Sequence, residues 1–180
     1  MNPTIQTMME RRSIRKYTDQ PVTDETMLEL YRVIEGTQSW TNSQCWEIVD
    51  VQDEGIRKQL QATVNPKNPS SKAVVNAPRL LALCARKGVS GRIKGEIVNK
   101  HGDWYMYDLG IMTQNLCLAA HSLGLGTVVV SWYDIDAAEQ VLNCPEDVEL
   151  LTLIPIGYRA QNGHAPRHKS VADFLHTNTF

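Results

Sequence analysis

The chain has 180 residues, with 18 Lys and Arg against 20 Asp and Glu and a formal net charge of −2 at pH 7. That length suits one domain, residues 1–180, able to bury a sizeable core. The balanced charge argues against a dedicated nucleic-acid binder, and the longest apolar run, Leu150 to Ile156, is interrupted by Thr152 and Pro155 and is too short to span a bilayer.

The opening residues Met1-Asn2-Pro3-Thr4 lack the charged start and apolar block of a secretory leader, so a cytoplasmic protein is expected. Cys45, Cys84, Cys117 and Cys144 are widely spaced and form no CxxC pattern. They read as thiols in a reducing compartment, and the five scattered histidines suggest no metal site.

Ile5, Met8, Met9 and Arg12 fall at helical spacing and predict a short first helix. A loop follows over Thr18 to Val22. Thr23 is placed to cap a second helix, with Met27, Leu30, Tyr31 and Ile34 on one face and Gly36 as its stop. Thr37 to Cys45 is polar and irregular, the composition of a binding loop. Ile48, Val49 and Val51 suggest a strand, and Glu54 to Val64 a helix. The Pro- and Asn-rich stretch Asn65 to Ser71 reads as a loop, and Arg79 to Arg86 as a buried strand. Lys87 to Lys100, with three glycines and mixed charge, reads as a mobile lid or flap. The clearest helix runs from Trp104 to Leu123, with Leu109, Met112, Leu116, Ala120 and Leu123 in one stripe. Thr127 to Tyr133 predicts a β-branched strand, Ile135 to Leu142 a helix, and Leu150 to Gly157 a second apolar strand. Ser170 and Asp173 have the spacing of a capping box for a final turn over Val171 to His176. Strands interleaved with helices, two of them apolar on both faces, indicate a sheet covered by helices on both sides.

Two compact basic clusters lie at opposite ends of the chain: Arg11-Arg12-Ser13-Ile14-Arg15 and Pro166-Arg167-His168-Lys169. Each reads either as a solvated loop or as half of a phosphate cage, because a guanidinium fork matches a pair of phosphate oxygens. Neither GxGxxG nor GxxxxGK[ST] occurs, which removes the dinucleotide and P-loop fingerprints.

Six segments, in order, resemble the nitroreductase family of flavin enzymes. They are Arg11 to Tyr17 with Pro21-Val22; Ser39 to Trp46, read as S-x-x-N-x-Q-x-W; Asp108-Leu109-Gly110 with Gln114-Asn115-Leu116; Ala119 to Thr127; Pro155 to Tyr158; and Pro166 to Lys169. The resemblance implies an α+β fold, a central mostly antiparallel sheet flanked by helices, and an intertwined homodimer holding two FMN molecules at the subunit interface. It assigns Arg11, Arg167 and Lys169 to the FMN phosphate. Arg12 and Ser13 are assigned to the ribityl chain and ring edge, and Arg15 to the pyrimidine end. It also implies that Ser39, Asn42 and Gln44 reach the flavin from the partner subunit and that Ser131 and Trp132 lie against the ring.

The implied reaction takes hydride from NADH or NADPH onto FMN and passes it to a nitro compound, quinone or similar small acceptor. No residue is assigned as acid or base, since protons can come from water. Alternatives on the same fold are dehalogenation, dehydrogenation or flavin fragmentation, or a flavin-binding module with little turnover. Two features depart from the family pattern: Cys45 stands where proline is usual, and Trp40 stands in a loop of small residues. The short stretch between Leu83 and Trp104 implies an open acceptor site to which Arg92, Lys94 or Trp104 contributes.

Overall fold

A computed structural model describes residues 1–180. The helices are α1 (Pro3–Glu10), α2 (Asp24–Glu35), α3 (Glu54–Thr63), α4 (Ser71–Asn76), α5 (Tyr105–Ser122) and α6 (Ile135–Leu142). The strands are β1 (Trp46–Asp50), β2 (Arg79–Arg86), β3 (Arg92–Ile93), β4 (Glu96–Ile97), β5 (Leu125–Thr127) and β6 (Val148–Tyr158). The main sheet has the order β1-β2-β6-β5 with every pairing antiparallel, and β3 and β4 form a separate hairpin. No helix is long and apolar enough to cross a membrane.

The apolar run of β2 is explained by the layers around it. Side chains alternate across a strand. Leu81, Leu83 and Ala85 join a core with Met27, Leu30, Leu109, Met112 and Leu116, supplied by α2 and α5. Leu80, Ala82 and Cys84 join a second core with Leu60, Val74, Ala138 and Leu150, on the side of α3, α4 and α6. Both faces of β2 are therefore dry, as a run without polar alternation requires.

The caps predicted from sequence form. The Thr23 hydroxyl accepts from the Thr26 amide, and Ser170 and Asp173 satisfy one another's backbone, although the turn they start covers only Val171–Asp173. Three elements differ from expectation. Of the strand expected over Thr127 to Tyr133, only Thr127 falls in a strand, β5 (Leu125–Thr127), and Val130 and Tyr133 make isolated bridges. Val130 exchanges both backbone hydrogen bonds with Leu153, whereas Pro155, between that bridge and the Thr127–Ile156 pair, has no N–H to offer a continuous ladder. The Lys87 to Lys100 stretch contains the ordered β3–β4 hairpin. Finally, α4 begins at Ser71, the last residue of the expected loop, fills a stretch for which no element was expected, and ends at Asn76, just before Ala77-Pro78.

The segment after α1 straps across the far edge of the sheet. The Ile14 amide donates to Thr127 O at 2.9 Å, the Thr18 amide to Tyr158 O at 2.9 Å, and the Ala160 amide to Lys16 O at 3.1 Å. The Tyr17 hydroxyl locks this strap by donating to Ile14 O at 2.6 Å and lies 3.2 Å from Pro155 O; burial pushes its pKa up. Both basic segments thus start from one corner of the molecule.

Candidate functional site

Arg11, Arg12 and Ser13 are half-buried where α1 ends, and Arg15 is exposed beyond the buried anchor Ile14. Arg12 turns its guanidinium back to Met9 O (2.6 Å) and Arg11 O (2.8 Å), capping α1. The chain leaving β6 packs on it. A Cβ placed on Gly163 would lie 2.1 Å from Arg12 Cβ, so only glycine permits this approach. Four residues further on, Arg167 can be no more than about 14 Å along the chain from that contact. Arg11, Arg167 and Lys169 form no ion pair with any carboxylate. The chain that carries Arg167 and Lys169 therefore leaves from beside the segment that carries Arg11.

The charges near the end of α1 bear on the end of α5. His121, in the last turn of α5, is held below the ordinary histidine pKa first by burial and next by Arg159, with smaller contributions of the same sign from Arg11 and Arg12 and an opposing one from Glu10. Burial disfavours charge of either sign; only the smaller guanidinium part of this effect favours an anion.

The neighbouring polar groups come from residues that sequence reading missed. Arg15 Nε donates to the Ser70 hydroxyl at 2.9 Å, leaving its two terminal nitrogens without a protein partner. Ser70 is itself buried, and its amide donates to Asn68 Oδ1 at 2.9 Å. Trp132 O accepts from the Asn65 amide at 3.1 Å. Arg15 and the Ser131-Trp132 backbone are thereby tied to one loop. Trp132 is 53% exposed and borders a cleft of about 510 Å³ with Asn65, Pro66 and Tyr133. A loop rich in Asn and Pro gave no signal that its serine would anchor an arginine 55 positions away.

Ser39, Asn42 and Gln44 lie elsewhere, on the loop that feeds β1. This loop is strained: Thr41, Asn42 and Gln44 have φ of 45°, 57° and 46°. Left-handed backbone costs a non-glycine residue about 1–2 kcal/mol, so other contacts must hold it. They come from Asp108, fully buried in the first turn of α5, whose Oδ1 accepts the Trp40 amide at 2.8 Å and Oδ2 the Ser43 hydroxyl at 2.9 Å. Within the loop, the Gln44 amide donates to Ser39 Oγ at 2.9 Å. Cys45 also has a partner here: its buried thiol donates to Asp108 Oδ2 at 3.7 Å. Burial, then the Asp108 charge, pushes that thiol up to about 11, so it keeps its proton. Trp46 packs on the core, and Trp40 is half-buried with its backbone committed to Asp108.

One chain does not bring the two sets together. Asp108 and His121 are separated by thirteen residues of one helix, about 20 Å at 1.5 Å per residue. The loop residues lie at one end of α5 and the cation corner at the other, on opposite edges of the sheet.

The fold and site define an α+β protein with a basic segment strapped across one edge of the sheet and a separate, strained polar loop at the other. The chain belongs to the nitroreductase family, whose model matches residues 8–158. It is 29% identical over 185 residues to the NADPH-flavin oxidoreductase of Vibrio harveyi, covering 100% of this chain and 75% of that one. The solved Vibrio harveyi NADPH:FMN oxidoreductase complexed with NAD+ superposes with a TM-score of 0.85 at 27% identity, covering 99% of this chain and 78% of that one. A Desulfovibrio desulfuricans structure in complex with FMN superposes with a TM-score of 0.80 at 26% identity, covering 100% and 99%.

Proposed function

We propose that this chain is an FMN-dependent oxidoreductase that takes hydride from NADH or NADPH and reduces nitro compounds, quinones or similar small acceptors. The observation that carries this reading is the close approach of Gly163, on the chain running to Arg167 and Lys169, to Arg12 in the segment of Arg11, Ser13 and Arg15. Its donor set suits a dianionic phosphate with a polar tail. Family membership and the flavin-linked names of the relatives support the same cofactor.

In this reading Arg11, Arg167 and Lys169 hold the phosphate, and Ser13 with the Arg12 backbone holds the ribityl chain. FMN held there would supply two-electron chemistry between the nicotinamide and the acceptor. Arg15, fixed by Ser70, presents its terminal nitrogens to the pyrimidine end and stabilises the negative charge of the reduced state. Asn42 and Gln44 both donate and accept, matching the alternating edge of that ring. Ser131 and Trp132 offer a backbone edge and an aromatic wall. No side chain is required as general acid, since water can supply the protons.

Two copies complete the site. The separation along α5 supports a loop that serves the partner's cofactor, and unpartnered apolar surface supports a homodimer. α1 buries none of its residues, with Ile5, Met8 and Met9 more than half exposed. Met106 and Tyr107 on α5, and Val171, Phe174 and Leu175 near the C-terminus, are similarly exposed.

Purified protein is expected to take up one FMN per chain and to oxidise NADH or NADPH when a nitroaromatic or quinone is supplied. Protein that binds no FMN, or bound FMN reduced by neither nicotinamide, overturns the reading.

A further inference from the structure

Asp108 is a fully buried carboxylate with no cationic partner, surrounded by donors from two separate segments. The Trp40 amide, the Ser43 hydroxyl and the Cys45 thiol come from the strained loop. The fourth donor is Ser90 Oγ, 2.6 Å from Oδ2, at the root of the β3–β4 hairpin. Ser90 is also fully buried, and its carbonyl accepts the Trp104 amide at 3.3 Å. Next to it, Gly91 adopts φ 84°, and a Cβ there would lie 2.4 Å from Gly102 O. The hairpin root is therefore closely packed against the start of α5.

The chemistry of this cluster is specific. A carboxylate takes four donors only while ionised, and charge-assisted bonds are roughly twice as strong as neutral ones. Its position in the first turn of α5 places the negative charge where the helix dipole favours it. Two hydroxyls and a thiol on one oxygen join loop and hairpin through a single atom. Carbonyls or neutral amides could hold one segment, but they could not gather this many donors.

We propose that Asp108 is the positioning residue that shapes the Ser39–Gln44 loop for the cofactor carried by the other copy, and that through Ser90 it couples that loop to the β3–β4 hairpin. This rests on the shared-site reading given above. Asp108 touches no ligand; it acts through Ser39, Asn42 and Gln44.

The experiment uses two broken chains and their mixture. Arg11→Ala/Lys169→Ala removes phosphate cations, and Asp108→Asn removes the buried charge. Each homodimer is expected to bind FMN about tenfold or more weakly, as loss of charge-assisted bonds implies. In a mixed dimer, isolated with a different affinity tag on each chain, a loop acting across the interface puts both defects in one site and none in the other. Flavin content is then half of one per chain, bound at wild-type affinity. A mixed dimer impaired at both sites overturns action across the interface, and an Asp108→Asn homodimer with wild-type FMN affinity overturns the positioning role.

Should Asp108→Asn fail to fold, Ser43→Ala and Ser90→Ala separate the two segments. Ser43→Ala is expected to weaken FMN binding more than Ser90→Ala, and Ser90→Ala to raise the acceptor KM more than it lowers kcat. Ser90→Ala with wild-type FMN affinity overturns the coupling. A wild-type protein that takes up no FMN sinks the shared-site reading itself; a flavin-loaded wild type beside an indifferent Asp108→Asn sinks only this proposal.

Discussion

Arg15 is held through its Nε by the Ser70 hydroxyl at 2.9 Å, joining the strap after α1 to the loop before α4. The bond fixes the fork's direction while sparing both terminal nitrogens. A lysine has a single ammonium and cannot be anchored at one atom while presenting two others. Arg15→Lys is therefore expected to lower the midpoint potential of bound FMN by tens of millivolts, since about 30 mV corresponds to 1.4 kcal/mol for a two-electron couple. Ser70→Ala should shift it in the same direction by less. Spectroelectrochemical titration reads both, and an unchanged potential in Arg15→Lys would place Arg15 away from the ring.

Arg57 performs a different task with the same functional group. Buried at 8% exposure, it donates to Val51 O at 2.7 Å, Ala77 O at 2.8 Å and Pro78 O at 3.2 Å, and burial lowers its pKa. These carbonyls end β1 and lead into β2. Arg57→Met keeps the side chain's length but strips three acceptors of their donor, each costing about 1–3 kcal/mol. The expected loss is at least about 3 kcal/mol in urea unfolding, with little change in FMN affinity at temperatures where the variant is folded.

The sequence revealed what depends on short-range pattern and concealed what depends on partners far along the chain. The β2 run, the Thr23 cap and the Ser170–Asp173 box are local, and each forms, as does the α5 stripe from Leu109 to Ala120, whereas Leu123 at its end caps the helix and is exposed. Helix α4 escaped because six residues are too few for periodicity. Val128 to Val130 is β-branched, but whether such a run joins a sheet depends on what faces it. At the site, residue types marked the cation segments, and the motif containing Asp108 was visible. Its role was not, because its partners Trp40 and Ser43 lie 68 and 65 positions away. Cys45, a departure from family pattern in sequence, becomes intelligible as a thiol donor to that same carboxylate.

Phosphate recognition is separable from ring recognition by changing the ligand. Arg11→Ala and Lys169→Ala are each expected to weaken FMN binding by about tenfold, the scale of one charge-assisted contact. Riboflavin lacks the phosphate, so both variants should bind it as the wild type does. Fluorescence-quenching titrations with the two flavins make the comparison, and equal losses for FMN and riboflavin would assign Arg11 and Lys169 to fold maintenance.

His121 supplies a pH signature of the same corner. Its folded pKa lies below the ordinary histidine value, through burial first and the guanidiniums next. Between the folded value and about 6.5, the unfolded chain binds more protons than the native one, so stability rises with pH across that window and is lost as pH falls through it. Bound FMN places a dianion among the cations and weakens the part of the shift that Arg11 and Arg12 cause, while the burial part stays. The melting temperature should therefore climb more steeply with pH below 6.5 in the cofactor-free protein than in the FMN-loaded one. His121→Gln should flatten both profiles. Identical slopes with and without FMN would place the phosphate away from the end of α5.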